Sequence, residues 1–165
     1  MAQGNPGKRS DPHAAFCFSL QIDQIGIRSA QAFFKSISGL KSESEVVPYK
    51  EGGLNTTTHQ LIGPTKWPNL VLKRGFTGDS TLVDWRASFL ADGSGALQRV
   101  NGKVIQLSSD LKPVCCWHFL QGWPCKWDGP DFDASKSELS IETLEIAHEG
   151  LVFENLVTPS DGFNT

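Results

Sequence analysis

The chain has a single tyrosine and a single methionine, and only four cysteines and four histidines in 165 residues. It has no GxGxxG or GxxxxGK[ST] loop, so a cradle for nucleotide phosphates has no support. No GxSxG elbow is present to expose a nucleophilic serine. CxxC pairs are missing too, and structural zinc usually draws on them because a tight turn must aim two thiolates at one ion. No apolar run approaches the ~20 residues of a membrane-spanning helix. Positive charge is not in excess: a net charge of −3 and a pI of 5.8 argue against an electrostatic grip on nucleic acid or anionic lipid. No internal repeat is visible. The opening MAQGNPGKRSDPH has no apolar h-region. The expectation is a protein kept in a reducing cytosol, where disulfides are uncommon.

Ten Phe and five Trp are present, and 39% hydrophobic residues can supply the core of one domain. Sixteen Gly and nine Pro break the chain often, as a fold of many short strands requires. FCFSLQI alternates, with Phe16, Phe18, Leu20 and Ile22 on one face and Cys17, Ser19 and Gln21 on the other, which predicts a half-buried strand. QAFFKSISGL predicts a second strand that closes a hairpin. Residues 41–68 carry three prolines, Gly52-Gly53 and a polar TTTHQ run, and read as a long, extended, poorly buried excursion. NLVLKRGF predicts a further strand. GDSTLVDWRASFLADG predicts the single helix, with Asp79 or Ser80 as cap, a stripe of Leu82, Trp85, Arg86 and Phe89, and Gly93 beyond its end. Three more strands are expected in QRVNGKVIQLSS, PVCCWHFLQGW and SELSIETLEIAHEG, with Asn101-Gly102 as a tight turn or bulge. The fold class is therefore mainly β, an antiparallel sandwich or barrel with one flanking helix and a long extended loop. Residues 11–154 read as one domain, with an arm over 1–10 and a tail over 155–165.

The stretch CCWHFLQGWPCKW concentrates three cysteines, one histidine and three tryptophans. Cys115 and Cys116 are adjacent, so on a strand they point to opposite faces. Cys116 and His118 share a face, but Cys125 lies beyond Gly122 and Pro124 without a partner pair. These cysteines read as small buried hydrophobes, and no metal site or cofactor is assigned. A small Cys/His metal-dependent enzyme is the alternative from a different class. Glu142, Glu145 and Glu149 could be drawn into an acid–base pair, but they differ in strand parity, and no catalytic residue is assigned.

Charge is distributed unevenly. From Asp128 to Glu154 there are eight acids and one base, Lys136. Glu43, Glu45 and Glu51 load the excursion with acid, while Lys66, Lys73 and Arg74 gather near NLVLKRG. One reading is an ordinary mixed surface; the other is complementary faces of repeating subunits, where opposite charges set register and orientation.

The ordered segments DPHAAFCFSLQID, SISGLKSESEVVPYKEGG, LIGPTKWPNLVLKRG, LVDWRASF, WHFLQGWPCKWDGPDFDA and SELSIETLEIAHEGL resemble the tail tube protein family of T4-like phages and phage-derived contractile injection systems. The resemblance runs from about Asp11 to Leu151. It implies a non-enzymatic inner tube subunit that forms hexameric rings with itself, stacked into a hollow tube inside a contractile sheath. Baseplate and tube-terminating proteins would meet the tube's ends, and a cargo effector or DNA would occupy its lumen. No membrane anchoring is implied. The particle, a phage tail or a tail-like injection device, would be assembled in the bacterial cytoplasm. A baseplate-proximal tube adaptor or initiator is the alternative within the class. By matching motif, Glu43, Glu45, Tyr49, Lys50, Glu51, Gly52 and Gly53 would contact neighbouring subunits or the next ring, with Lys66, Lys73 and Arg74 meeting their acids. The chain departs from the family pattern at Lys50, where Arg is common, at Gly122, where Ala is common, and at Cys125.

Overall fold

The computed structural model describes residues 17–23, 32–53, 56–91, 99–131 and 140–156. Its elements are β1 (Cys17–Asp23), β2 (Ala32–Phe34), β3 (Ser36–Ser38), β4 (Glu43–Tyr49), β5 (His59–Lys66), β6 (Leu70–Gly75), α1 (Thr81–Ala91), β7 (Val100–Leu107), β8 (Pro113–Asp128), β9 (Ile141–Ala147) and β10 (Gly150–Asn155). Eight strands form one antiparallel system in the order β2-β1-β7-β8-β9-β6-β3, with β10 beside β8, and β4 and β5 pair separately. The path's two ends, β2 and β3, are separated in the chain by Lys35, whose N–H bonds the Lys73 carbonyl at 2.9 Å. The path thus curls into a barrel-like sandwich, and among the described residues no ladder closes it. This is the expected class.

Alternation places the core. In β1, Leu20 and Ile22 are buried and Phe18 packs beside them. Leu70 and Leu72 of β6, Val100 and Val104 of β7, and Leu144 and Ile146 of β9 join them in one cluster, completed by Leu82 and Trp85 of α1. Burying each such side chain contributes about 1.5–3 kcal/mol.

The sixteen-residue β8 serves both halves of the system. Its first part lies between β7 and β10, and its second part pairs with β9. Between them the strand bends. Gln121 takes a φ of 52°, rare for a residue with a side chain, and its N–H leaves the ladder for Asn101 Oδ1 at 3.0 Å. Pro124 has no N–H to donate, and the register shifts just beyond it. β9 and β10 follow the same bend on the other side, where buried His148 lies 3.0 Å from the Pro68 carbonyl and 3.2 Å from that of Gly150. Phe119 sits inside the bend, fully buried between two glycines. A Cβ on Gly102 would come 2.4 Å from its ring and 2.6 Å from the Gln21 carbonyl oxygen, and one on Gly122 would come 2.5 Å from the ring. The absence of a side chain at 122 is what leaves room for the phenyl ring.

The helix docks on the bend through its expected stripe. Leu82 and Trp85 are buried, Phe89 stacks on Trp123 with centroids 5.1 Å apart, and Arg86 donates to the Pro124 carbonyl at 2.6 Å. Asp79 Oδ1 accepts from the N–H and hydroxyl of Thr81, while the Ser80 carbonyl accepts the Asp84 N–H that opens the helix. These bonds from Thr81, more than nearby Arg74, hold the Asp79 carboxyl below its ordinary value.

Three elements differ from the sequence reading. QAFFKSISGL divides into β2 and β3, because β1 and β6 each take half of it. The extended, poorly buried excursion is a hairpin of β4 and β5, with a register shift between Ser44 and Val46, rather than a loop. LVFEN, unassigned from sequence, forms β10. Asn101-Gly102 lies at a register shift of β7, the bulge alternative. Gly93, the arm and all but the first two residues of the tail lie outside the described residues.

Replacing Gly102 by Ala is expected to lower unfolding stability by about 1–3 kcal/mol, as overpacking does. Gly122→Ala should cost less, because a ring can tilt where the Gln21 backbone cannot. Chemical denaturation of both variants checks the order; equal or absent losses would contradict the packing described.

Candidate assembly surface

The β4–β5 ribbon concentrates surface that its own subunit leaves uncovered. Across it, Val46 faces Ile62, Val47 faces Leu61, Pro48 faces Gln60 and Tyr49 faces His59. Successive pairs alternate between the ribbon's faces, so both faces carry apolar side chains. Ile62 is 93% exposed, and Val46, Tyr49 and Leu61 are each more than half exposed. Every expected contact residue of the excursion is exposed: Glu43, Glu45, Tyr49, Lys50, Glu51, Gly52 and Gly53. Gly53 turns the chain with a φ of 98°, which suits glycine. Glu51 Oε2 lies 3.3 Å from His59 Nε2.

The three basic residues separate. Lys66 is exposed and lies directly across the ribbon from Glu43. Lys73 is exposed on β6, between Ser36 of β3 and Thr143 of β9. Arg74 corrects the expectation for the set, because its side chain is turned inward and only 7% exposed. Its Nε donates to Glu142 Oε1, and its other nitrogens reach Asp79 Oδ2 at 3.4 Å and the Asp79 carbonyl at 3.3 Å. The guanidinium carbon lies 5.9 Å from the centre of the Phe34 ring. Trp127 Nε1 donates to the second oxygen of Glu142 at 3.1 Å. Alternation along β6 requires this, since Arg74 falls on the same face as Leu70 and Leu72. A carboxylate 1% exposed needs a charge partner and full hydrogen bonding, and Arg74 and Trp127 supply both.

The three carboxylates considered as an acid–base pair disperse. Glu142 is committed to Arg74, Glu145 lies 3.8 Å from Lys126, and Glu149 pairs with Arg99. The three carboxylates therefore do not form an acid–base pair. The four cysteines are free thiols. Burial pushes the Cys115 and Cys125 thiols above their ordinary value. Burial first, then the Glu154 carboxylate, pushes Cys116 up to about 11. None of these three is a thiolate at neutral pH, so none is poised as a nucleophile.

The second uncovered element is β10. Among the described residues it pairs with β8, and Val152 and Phe153 are each more than half exposed. A strand with one paired edge offers its other edge to a further strand.

Residues 14–152 match the model of the T4-like virus tail tube protein gp19 family. The chain belongs to that family. Tail tube proteins are structural, and this chain is a structural tube subunit. Solved structures agree on the fold. A chain in the sheath–tube complex of the extracellular contractile injection system PVC in its extended state superposes with a TM-score of 0.73 at 17% identity, covering 88% of this chain and 93% of that one. A chain of the anti-feeding prophage baseplate is 26% identical, with a TM-score of 0.70 and 91% and 98% of the two chains covered. A chain of the anti-feeding prophage tube-terminating cap is 17% identical, with a TM-score of 0.74 and coverages of 92% and 96%. No curated protein matches the chain in sequence.

Arg74→Ala is expected to destabilise the subunit by about 3–5 kcal/mol, because it strands a buried carboxylate. Arg74→Met combined with Glu142→Leu should recover most of that loss. Lys73→Glu, on the surface, should stay within about 0.5 kcal/mol of the parent. Urea denaturation tests all three, and a mild Arg74→Ala effect would contradict the ion pair's role.

Proposed function

We propose that copies of this tail tube protein join side by side into hexameric rings, and that the rings stack into the hollow inner tube of a phage tail or an extracellular injection particle. The observation that carries this reading is the β4–β5 ribbon, whose apolar pairs are exposed on both faces. A lone two-stranded ribbon is marginal in water, so one that projects such residues is made to dock. The exposed Val152 and Phe153 of β10 support the reading by offering a second, different surface, and a head-to-tail ring needs two. The acids near the ribbon's turn and base, with Lys66 and Lys73, would fix register between copies.

The subunit acts as a conduit and not as a catalyst. A contractile sheath would surround the tube, baseplate and tube-terminating proteins would meet its ends, and a cargo effector or DNA would fill its lumen. The particle would be assembled in the bacterial cytoplasm. Among the described residues no helix is long and apolar enough to cross a membrane.

A second reading has one observation in its favour: the 26% identical chain belongs to a baseplate structure. In that reading the protein is a baseplate-proximal adaptor or initiator present in few copies. Long tubes grown from the purified chain alone favour the main-tube reading, whereas single rings that do not stack favour the adaptor.

Val46→Asp combined with Ile62→Asp should abolish most assembly, since central interface contacts are worth about 2 kcal/mol or more each. The fold should persist, because neither residue touches the core. Sedimentation velocity with circular dichroism reads both, and unimpaired assembly would refute the ribbon's role. Lys73→Glu should shorten tubes while leaving the fold intact, and tubes of normal length by electron microscopy would remove Lys73 from the stacking contact.

A further inference from the structure

Three metal-ligating side chains converge on the face of β8 and β10 that points away from the main core. Cys116 and His118 alternate onto this face from β8, and Glu154 of β10 lies directly opposite Cys116 in the register. Cys116 Sγ lies 3.2 Å from His118 Nε2 and 3.4 Å from Glu154 Oε2, and His118 Nε2 lies 2.8 Å from the same oxygen. A tetrahedral zinc ion, with bonds of about 2.0–2.3 Å, holds such donors roughly 3.3–3.6 Å apart. Opening the imidazole–carboxylate pair by about half an ångström reaches that spacing, within the freedom of a half-exposed glutamate.

The surroundings suit an ion on one side and water on the other. Cys116 is 2% exposed and packs with Ile105, Leu107 and Cys17 in a small apolar cluster that shields the sulfur. The side chains of His118 and Glu154 are 37% and 54% exposed, which leaves a fourth position open to solvent. Lys103, opposite His118 on β7, is the local cation that already acts on Cys116 and Glu154.

We propose that Cys116, His118 and Glu154 form a binding site for one borderline-soft divalent cation of the zinc class. The donor set selects the class: thiolate and imidazole favour zinc over magnesium or calcium, which prefer oxygen ligands. On binding, the Cys116 thiol releases its proton to solvent and a sulfur–metal bond takes its place. The ion then ties β8 to β10 through side chains, in addition to their backbone ladder. This site is independent of the tube reading, since it lies within one subunit.

Co²⁺ is the probe, because tetrahedral thiolate ligation gives it charge-transfer and ligand-field absorption bands. Titration of the purified full chain should show these bands saturating at one equivalent, with displacement by Zn²⁺ and a raised melting temperature in Zn²⁺. Cys116→Ser should remove the charge-transfer band, while Cys115→Ser on the opposite face should keep it. His118→Gln and Glu154→Gln should each weaken binding on the order of ten- to a hundredfold or more. Glu154 is exposed, so Glu154→Gln serves as a test even if Cys116→Ser fails to fold. Absence of a thiolate band at one equivalent, or affinity unchanged in both Glu154→Gln and His118→Gln, would overturn the site.

Discussion

One strand has to pair in two halves of a sheet system at once, and the subunit is organised around how β8 bends to do so. A continuous sixteen-residue ladder would run straight past any small core. Gln121 at positive φ, glycine at 122, proline at 124 and the register shift beyond it turn the strand. Each group released at the turn is then satisfied from outside: the Gln121 N–H by Asn101, the Pro124 carbonyl by Arg86 and the Leu120 carbonyl by the Glu149 N–H. Phe119 fills the bend and α1 packs against it through Trp123 and Pro124. The core, the helix position and the paired turn of β9 into β10 all depend on that bend.

With the core closed in this way, the charged groups divide by location. Arg74 and Glu142 face one another in the β6–β9 register on the buried side, where removing either partner leaves an uncompensated charge. Lys66, Lys73 and the acids of the ribbon stay in water, where ion pairs add little stability but orient partners. The apolar surface divides in the same manner. Much of the exposed apolar surface lies on the β4–β5 ribbon and along β10. A tube subunit needs surface of this kind, because in the proposed assembly neighbouring copies would complete what one chain leaves open.

Much of this was legible in the residues. The alternation of FCFSLQI, the Leu82–Trp85–Arg86–Phe89 stripe and the prolines and glycines of the excursion point to a strand, a docking helix and a projecting arm. The ordered motifs brought the family. Two features escaped for physical reasons. β10 has three consecutive apolar residues, Leu151, Val152 and Phe153, where a half-buried strand signal needs alternation, so only its pairing with β8 reveals it. Arg74 sits beside Lys73 in a run of charge, and composition does not tell which of two neighbours turns inward. Parity with Leu70 and Leu72 was the available signal, and it needed Glu142 as a buried partner to become meaningful. Missing β10 also hid Glu154, and with it the third donor beside Cys116 and His118.

The central claim is that this domain is made to assemble with copies of itself. Electron microscopy of the purified full-length chain at high concentration tests it most directly. The account predicts rings of six-fold symmetry and stacks of them with a continuous lumen. A monodisperse monomer of 18.0 kDa, persisting at high concentration without rings or tubes, would contradict it.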